Sequence, residues 1–243
     1  MKLRTIGDDF PMTPANRTLV IMAKAPRLGS VKTRLAESLS LQAVTELYRC
    51  LLNDTIALAQ ALNQAEIAIM CPATDVDELS RAVSNTVRIV PQTGKGLAAG
   101  LASVFYHFAT SGQRVIAFNS DSPHLPPSVL ETAFGALETR DLVVGPTHDG
   151  GYYLVGAKAS HPDLFASDGM GTANALEALL TRARALGLSV DLADPFYDID
   201  VEGDLGRLAA ELQLAPARAP RTAAWLKQWE QAGAQLRTGA GDL

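Results

Sequence analysis

Apolar residues fall into two recurring patterns along this chain. Short runs of strand length stand at Thr18–Lys24, Glu66–Cys71, Thr86–Val90, Arg114–Asn119 and Asp141–Gly145. Between them, apolar positions recur at helical spacing, which predicts helices near Leu41–Leu62, Asp75–Val83, Gly96–Ala109, Pro127–Thr139, Ala173–Leu186 and Glu202–Leu212. In the first helix Val44, Leu47, Tyr48, Leu51, Leu52, Thr55 and Leu58 make one stripe, read as core. Strands alternating with helices predict an α/β fold, a mostly parallel sheet with helices on both faces. Gly151–Gly156 reads as a further strand. It is expected to be antiparallel, because the connection from Val144 is too short for a helical crossover. The result is a mixed sheet in a single-domain α/β/α sandwich. Residues 17–213 are read as the body, 1–16 as an N-terminal extension and 214–243 as a C-terminal helical tail. In that tail one helix at Thr222–Ala232 carries Trp225 and Trp229 four positions apart, a spacing that suits docking onto the body.

Composition narrows the functional classes. The chain has 243 residues and is 47% hydrophobic, enough to bury a full core. No apolar run approaches the roughly 18 residues of a membrane span. The first sixteen residues lack the apolar segment of a secretory signal, so a cytoplasmic protein is expected. Cys50 and Cys71 are too few for a disulfide framework and sit among apolar residues. The net charge of -5 argues against broad nucleic-acid binding, which needs a basic face.

Against that acidic balance, the stretch after the first strand is basic. Lys24, Arg27, Lys32 and Arg34 cluster around Gly29, and no carboxylate occurs between Asp9 and Glu37. These charges are therefore expected to be without local neutralisation. Gly29 would let backbone approach a phosphate, with Lys32 and Arg34 supplying charge. A Walker-type loop is excluded, because Val31 stands where that motif needs glycine before Lys-Thr. The alternative is a basic surface loop with no ligand.

Three acidic clusters follow. Asn119-Ser120-Asp121-Ser122-Pro123 succeeds an apolar strand, with Pro123 ending it and Asp121 at its carboxyl tip. One or two carboxylates suffice for a hard divalent cation that also binds phosphates. A turn or helix cap explains the same residues. His148-Asp149-Gly150-Gly151 forms a tight turn that aims Asp149 sideways, and by itself is a hairpin signal, with His148 either a surface residue or a support behind the site. In Tyr197-Asp198-Ile199-Asp200, alternation puts Asp198 and Asp200 on one side, where either completes a metal site begun by Asp121, or else Asp200 simply precedes a helix. The basic loop, the Asp121 cluster and the Asp149 turn fall at strand ends, where open α/β sheets bind ligands.

Taken in order, A-K-A-P-R-L-G-S-V-K-T-R-L, N-S-D-S-P-H-L, G-P-T-H-D-G-G-Y-Y-L-V-G and Y-D-I-D-V-E-G-D-L resemble the nucleotide-diphospho-sugar transferase superfamily with the GT-A, Rossmann-like fold. Within it the chain is most similar to small bacterial glycosyltransferase-like proteins related to 2-phospholactate guanylyltransferase and the molybdenum-cofactor guanylyltransferases. The resemblance runs from about residue 18 to 210. It implies a nucleotide bound by Ala23, Lys24, Pro26, Gly29, Lys32, Arg34 and Ser120, and Mg²⁺ or Mn²⁺ held by Asp121 and Asp200. It also implies catalytic roles for Asp149, facing the acceptor or the metal, and for Lys32. The chain departs from the family pattern at Asn119, at Ala99-Gly100-Leu101 and at Met170-Gly171-Thr172, the last two bearing on the acceptor. The implied function is a metal-dependent glycosyltransferase moving a sugar from a nucleoside-diphosphate donor to a small acceptor. A nucleotidyltransferase joining an NTP to a phosphorylated small molecule and a non-catalytic nucleotide-binding regulator are the alternatives. Expected partners are the nucleotide or nucleotide sugar and a small acceptor, with no nucleic acid and no membrane span, and with a homodimer left open.

Overall fold

A computed structural model of the chain describes residues 16–62, 64–83, 87–165 and 174–239, with side chains to 231. Seven strands form one sheet: β1 (Arg17–Met22), β2 (Glu66–Cys71), β3 (Arg88–Pro91), β4 (Arg114–Asn119), β5 (Leu142–Pro146), β6 (Tyr152–Ala157) and β7 (Val190–Leu192), in the order β3-β2-β1-β4-β6-β5-β7. β1 pairs in parallel with β2 and with β4, whereas β6 runs antiparallel between β4 and β5. The short turn after β5 imposes that reversal. The fold is the α/β single domain with a mixed, mostly parallel sheet that the alternation of patterns predicts.

Period-two alternation along each strand divides the core. Leu19, Ile21, Ile69, Ile116 and Phe118 face one layer, built from α1 (Leu41–Gln60), α2 (Val76–Ala82) and α4 (Pro127–Ala136). Val20, Ala68, Met70, Val115 and Ala117 face the other, built from α3 (Gly96–Phe108) and α5 (Ala175–Ala185). Central strands buried on both faces need continuous apolar runs, which is why β2 and β4 carry the residues read from sequence alone. β7 escaped that reading: it has three residues, Val-Asp-Leu, and its last two are exposed at the sheet edge. Thr86 and Ala173, at the ends of two predicted elements, lie outside the described residues, as does Met170-Gly171-Thr172.

A third apolar cluster joins the outer side of α1 to α6 (Glu202–Leu214) and α7 (Pro220–Gly239). The helix predicted at 222–232 is thus longer, opening at Pro220. It is fastened to α1 through Asp54, a fully buried carboxylate that accepts hydrogen bonds from the Thr222 backbone N–H at 2.8 Å and its hydroxyl at 2.9 Å. No helix among the described residues is long and apolar enough to cross a membrane.

The progression of strand order reverses between the parallel neighbours β1 and β4. Successive strands β1, β2 and β3 progress one way and β4 adds on the opposite side of β1. The crevice beyond the carboxyl ends of β1 and β4 is where such sheets take ligands.

Candidate active site at the carboxyl ends of β1 and β4

The chain leaving β1 is held by contacts from three elements. The Ala23 N–H donates to the Met70 carbonyl at 3.0 Å. Asp75, at the start of α2, accepts from the Ala25 N–H at 2.8 Å and from the Arg27 guanidinium at 2.6 Å, and Glu78 takes a second Arg27 contact at 2.6 Å. Burial opposes ionisation of Asp75, but these bonds outweigh it and hold its carboxyl below the usual range. The Tyr48 phenol of α1 accepts from the Lys24 N–H at 3.1 Å and shares a hydrogen bond with the Ser120 hydroxyl at 3.1 Å. One side chain therefore couples the loop after β1 to the loop after β4.

Neutralisation of this loop differs from the expectation of unpaired charge. Arg27 is paired with Asp75 and Glu78, and the Lys32 ammonium contacts Asp121 and, at 2.7 Å, Asp200. The carboxylates come from sites remote in sequence, so their absence between Asp9 and Glu37 says nothing about pairing in space. Lys24 and Arg34 remain exposed. Arg34 lies 3.6 Å from Asp200, and Lys24 makes no ion pair among the described residues.

Lys32 occupies an unusual position. Its backbone has φ of +47°, in the left-handed region that side-chain-bearing residues rarely adopt. Buried Val31 and Leu35 flank it, seating the backbone while the lysine stem turns inward, and only 6% of its side chain is exposed. Burial would lower the ammonium's pKa, but the charges of Asp121 and Asp200 overcome that and raise it above the usual lysine range.

The acidic side is assembled from two loops. Asp121 sits at the tip of β4, in a turn where the Asn119 amide donates to the Ser122 hydroxyl at 3.0 Å and Ser122 donates to the Tyr197 carbonyl at 3.2 Å. His124, fully buried, packs against the rings of Phe196 and Tyr197, with centroids 4.7 and 4.6 Å away. Burial, aided by Arg207 and Arg218, pushes its pKa down to about 3, so this imidazole is neutral packing. Ile199 points into the core and leaves Asp198 and Asp200 on the opposite side. Asp204 caps the following helix, accepting from the N–H groups of Asp200 at 2.9 Å and Val201 at 2.8 Å. Asp200 thus stands just before α6 and also lines the cleft.

Carboxylate oxygens of Asp121, Asp198 and Asp200 lie within 4.8 Å of one another. Desolvation, followed by the charge of Asp121, pushes the Asp198 pKa up to about 7. Asp198 adds a third carboxyl beside the pair held by Lys32, and Asp121 Oδ1 is buried without a hydrogen-bond partner. Hard oxygen donors with an unsatisfied buried oxygen fit the needs of Mg²⁺ or Mn²⁺.

Ala23, Lys24, Lys32, Arg34, Ser120, Asp121 and Asp200 line one cleft of about 590 Å³, with Met22, Met70 and Leu97 as its apolar wall. Pro26 and Gly29 are outside its lining: Pro26 is buried, its carbonyl accepting from Arg49 at 3.4 Å, and Gly29 turns the loop with φ of +73°. Asp149 also stands apart, exposed in the β5–β6 turn. Its Oδ1 accepts from the Thr147 hydroxyl at 2.5 Å and the Gly151 N–H at 3.2 Å. These bonds, Thr147's foremost, lower its pKa, with Arg34 contributing. A larger hollow of about 910 Å³ between α6 and α7 has mainly Ala, Leu and Pro walls and receives no strand end.

Sequence reasoning passed over Tyr48 and Asp75. Tyr48 was hidden in an apolar helical stripe, although a buried phenol needs a partner and so carries a signal. Asp75 read as a helix start.

The family model that matches the chain covers residues 55–172 and is described as an uncharacterized protein conserved in bacteria, DUF2064. That span includes Asp121 and Asp149 but neither Lys32 nor Asp198 and Asp200. No curated protein matches the sequence. Among solved structures, a protein from Desulfovibrio desulfuricans G20, provisionally assigned as a nucleotide-diphospho-sugar transferase, superposes with a TM-score of 0.83 at 26% identity, over 91% of this chain and 98% of its own. The 4-diphosphocytidyl-2C-methyl-D-erythritol synthase of Anaerococcus prevotii DSM 20548 gives 0.53 at 13% identity, over 81% and 96%. A CMP:2-keto-3-deoxy-manno-octonic acid synthetase complexed with CTP gives 0.51 at 12%, over 82% and 98%. The fold is that of the nucleotide-diphospho-sugar transferases and nucleotidyltransferases.

Proposed function

We propose that this protein is a metal-dependent transferase that uses an activated nucleotide, moving a sugar from a nucleoside-diphosphate donor to a small acceptor. The observation that carries this reading is the meeting of Lys32 with Asp121 and Asp200 in a cleft at the strand-order reversal, with Lys24 and Arg34 at its mouth. A cleft holding carboxylates on one wall and cations on the other suits a diphosphate bridged by a divalent ion.

Asp121 and Asp200 are assigned the metal, with Asp198 close enough to share it. Bound there, Mg²⁺ or Mn²⁺ would neutralise charge developing on the leaving diphosphate. Lys32 and Arg34 add positive charge on the phosphate side, where electrostatic stabilisation of the leaving group has most effect. Ala23, Lys24 and Ser120 border the nucleotide, and Gly29 and Pro26 shape the loop behind it. Asp149 is proposed as the acceptor-side carboxylate: its turn follows β5, on the far side of β4 from the Lys32 loop.

Nucleotidyl transfer is the second reading, favoured by the cationic set Lys24, Lys32 and Arg34, since a triphosphate carries more charge than a sugar diphosphate. The experiment that separates these readings incubates the protein with Mg²⁺ and a panel of nucleotide sugars or NTPs. Release of nucleoside diphosphate from a sugar donor supports the first, and pyrophosphate release from an NTP supports the second. Thermal stabilisation by nucleotides with neither product, across a broad acceptor panel, favours a binding protein.

A further inference from the structure

Lys32 holds the place that a divalent ion would need. Its ammonium contacts Asp121 and reaches Asp200 Oδ1 at 2.7 Å, and these two carboxylates belong to the trio whose oxygens lie within 4.8 Å of one another. A metal ligated by the same oxygens would lie at contact distance from the ammonium, and two positive charges that close repel. The lysine is committed to this location: only 6% of its side chain is exposed, and its left-handed backbone is seated by buried Val31 and Leu35. Its stem, with four carbons, can nevertheless swing while the backbone stays fixed.

We propose that Lys32 is the resting counter-ion of the Asp121–Asp200 pair and excludes divalent metal until a phosphate group gives its ammonium another partner. Metal and polyphosphate then bind cooperatively, each removing an obstacle to the other. Lys24 and Arg34, at the cleft mouth, mark the side from which that phosphate arrives. This inference rests on the nucleotide reading above for the identity of the phosphate, but the competition between lysine and metal does not.

The test measures Mn²⁺ binding to the full-length protein without nucleotide, by the loss of the free-ion electron paramagnetic resonance signal. Lys32→Met should bind Mn²⁺ at least about tenfold more tightly than the wild type, the lower end of what removing an adjacent like charge achieves. Lys32→Arg, which keeps the charge, should bind no more tightly than the wild type. Lys32→Gln, neutral and able to donate to both carboxylates, replaces the methionine variant if thermal melting shows that it does not fold. Equal Mn²⁺ affinity in wild type and neutral variants overturns the proposal, and so does an arginine variant that binds as tightly as they do. In a second arm, the preformed Mn²⁺–pyrophosphate complex should bind the wild type more tightly than Lys32→Met. If the neutral variants gain Mn²⁺ affinity while no protein binds the pyrophosphate complex, the lysine's exclusion of metal stands and the nucleotide reading falls.

Discussion

The Tyr48 phenol and the Ser120 hydroxyl lie 3.1 Å apart, and the same phenol accepts the Lys24 N–H, so helix α1 fixes the spacing between the cationic loop and the acidic one. Tyr48→Phe keeps the packing and removes the coupling. Loss of a buried hydrogen bond costs about 0.5–1.5 kcal/mol, plus more where a donor is stranded. Urea unfolding should show a lowered midpoint with an unchanged slope, and nucleotide affinity should weaken with it. An unaltered midpoint and affinity would mean that the two loops hold their spacing unaided.

Asp121→Asn should abolish the dependence of nucleotide binding on divalent ion while leaving the fold intact. Titration calorimetry with Mg²⁺ and with EDTA reads this directly. The wild type should differ between the two conditions and the variant should not.

Arg34, whose side chain is 65% exposed, can be removed without disturbing the core. If it meets phosphate, Arg34→Ala should weaken a nucleoside diphosphate by roughly 10- to 150-fold, the equivalent of about 1.5–3 kcal/mol, and leave nucleoside affinity almost unchanged. Equal losses for the two ligands would remove the residue from the phosphate site.

Asp149→Asn retains the oxygen that accepts from Thr147 and Gly151, so the turn should survive. As the acceptor-side base, Asp149 should contribute about 10²- to 10⁴-fold to turnover and little to donor affinity. Because its folded pKa is lowered, the base should stay ionised at pH values below the ordinary aspartate range. Measuring kcat and donor Kd separates this role from metal binding, in which both would fall. A variant normal in both has lost only a turn residue.

His124 should make stability depend on pH. Its folded pKa is about 3 against an unfolded value of about 6.5, so between these values the unfolded chain binds more protons. Stability contributed by the neutral ring is present above pH 6.5 and is lost as pH falls, at about 1.4 kcal/mol per pH unit from this group. His124→Phe should flatten that part of the profile in denaturant titrations at successive pH values.

The legible parts of this molecule are those governed by neighbours in sequence. β2 and β4 stand out because burial on both faces demands uninterrupted apolar runs, and Asp121 stands out because Pro123 ends its strand. Asp198 and Asp200 could be put on one side by alternation alone. Their meeting with Lys32 could not: the lysine's two partners are 89 and 168 residues away, and only the strand order brings them together. Asp75 escaped notice for the same reason, since a carboxylate that opens a helix and one that anchors a distant loop have the same local sequence.

Asp54 gives the last helix a consequence for anyone handling the protein. It sits on α1, the helix that carries Tyr48 to the cleft, and its fully buried carboxylate is satisfied by Arg221 and Thr222 of α7. A shortened version ending before Pro220 would strand that charge in the interior, a defect that typically costs several kcal/mol. Trimming what looks like a dispensable tail therefore endangers expression yield, and the first symptom of damage there should be poor nucleotide binding in preparations that still look intact on a gel.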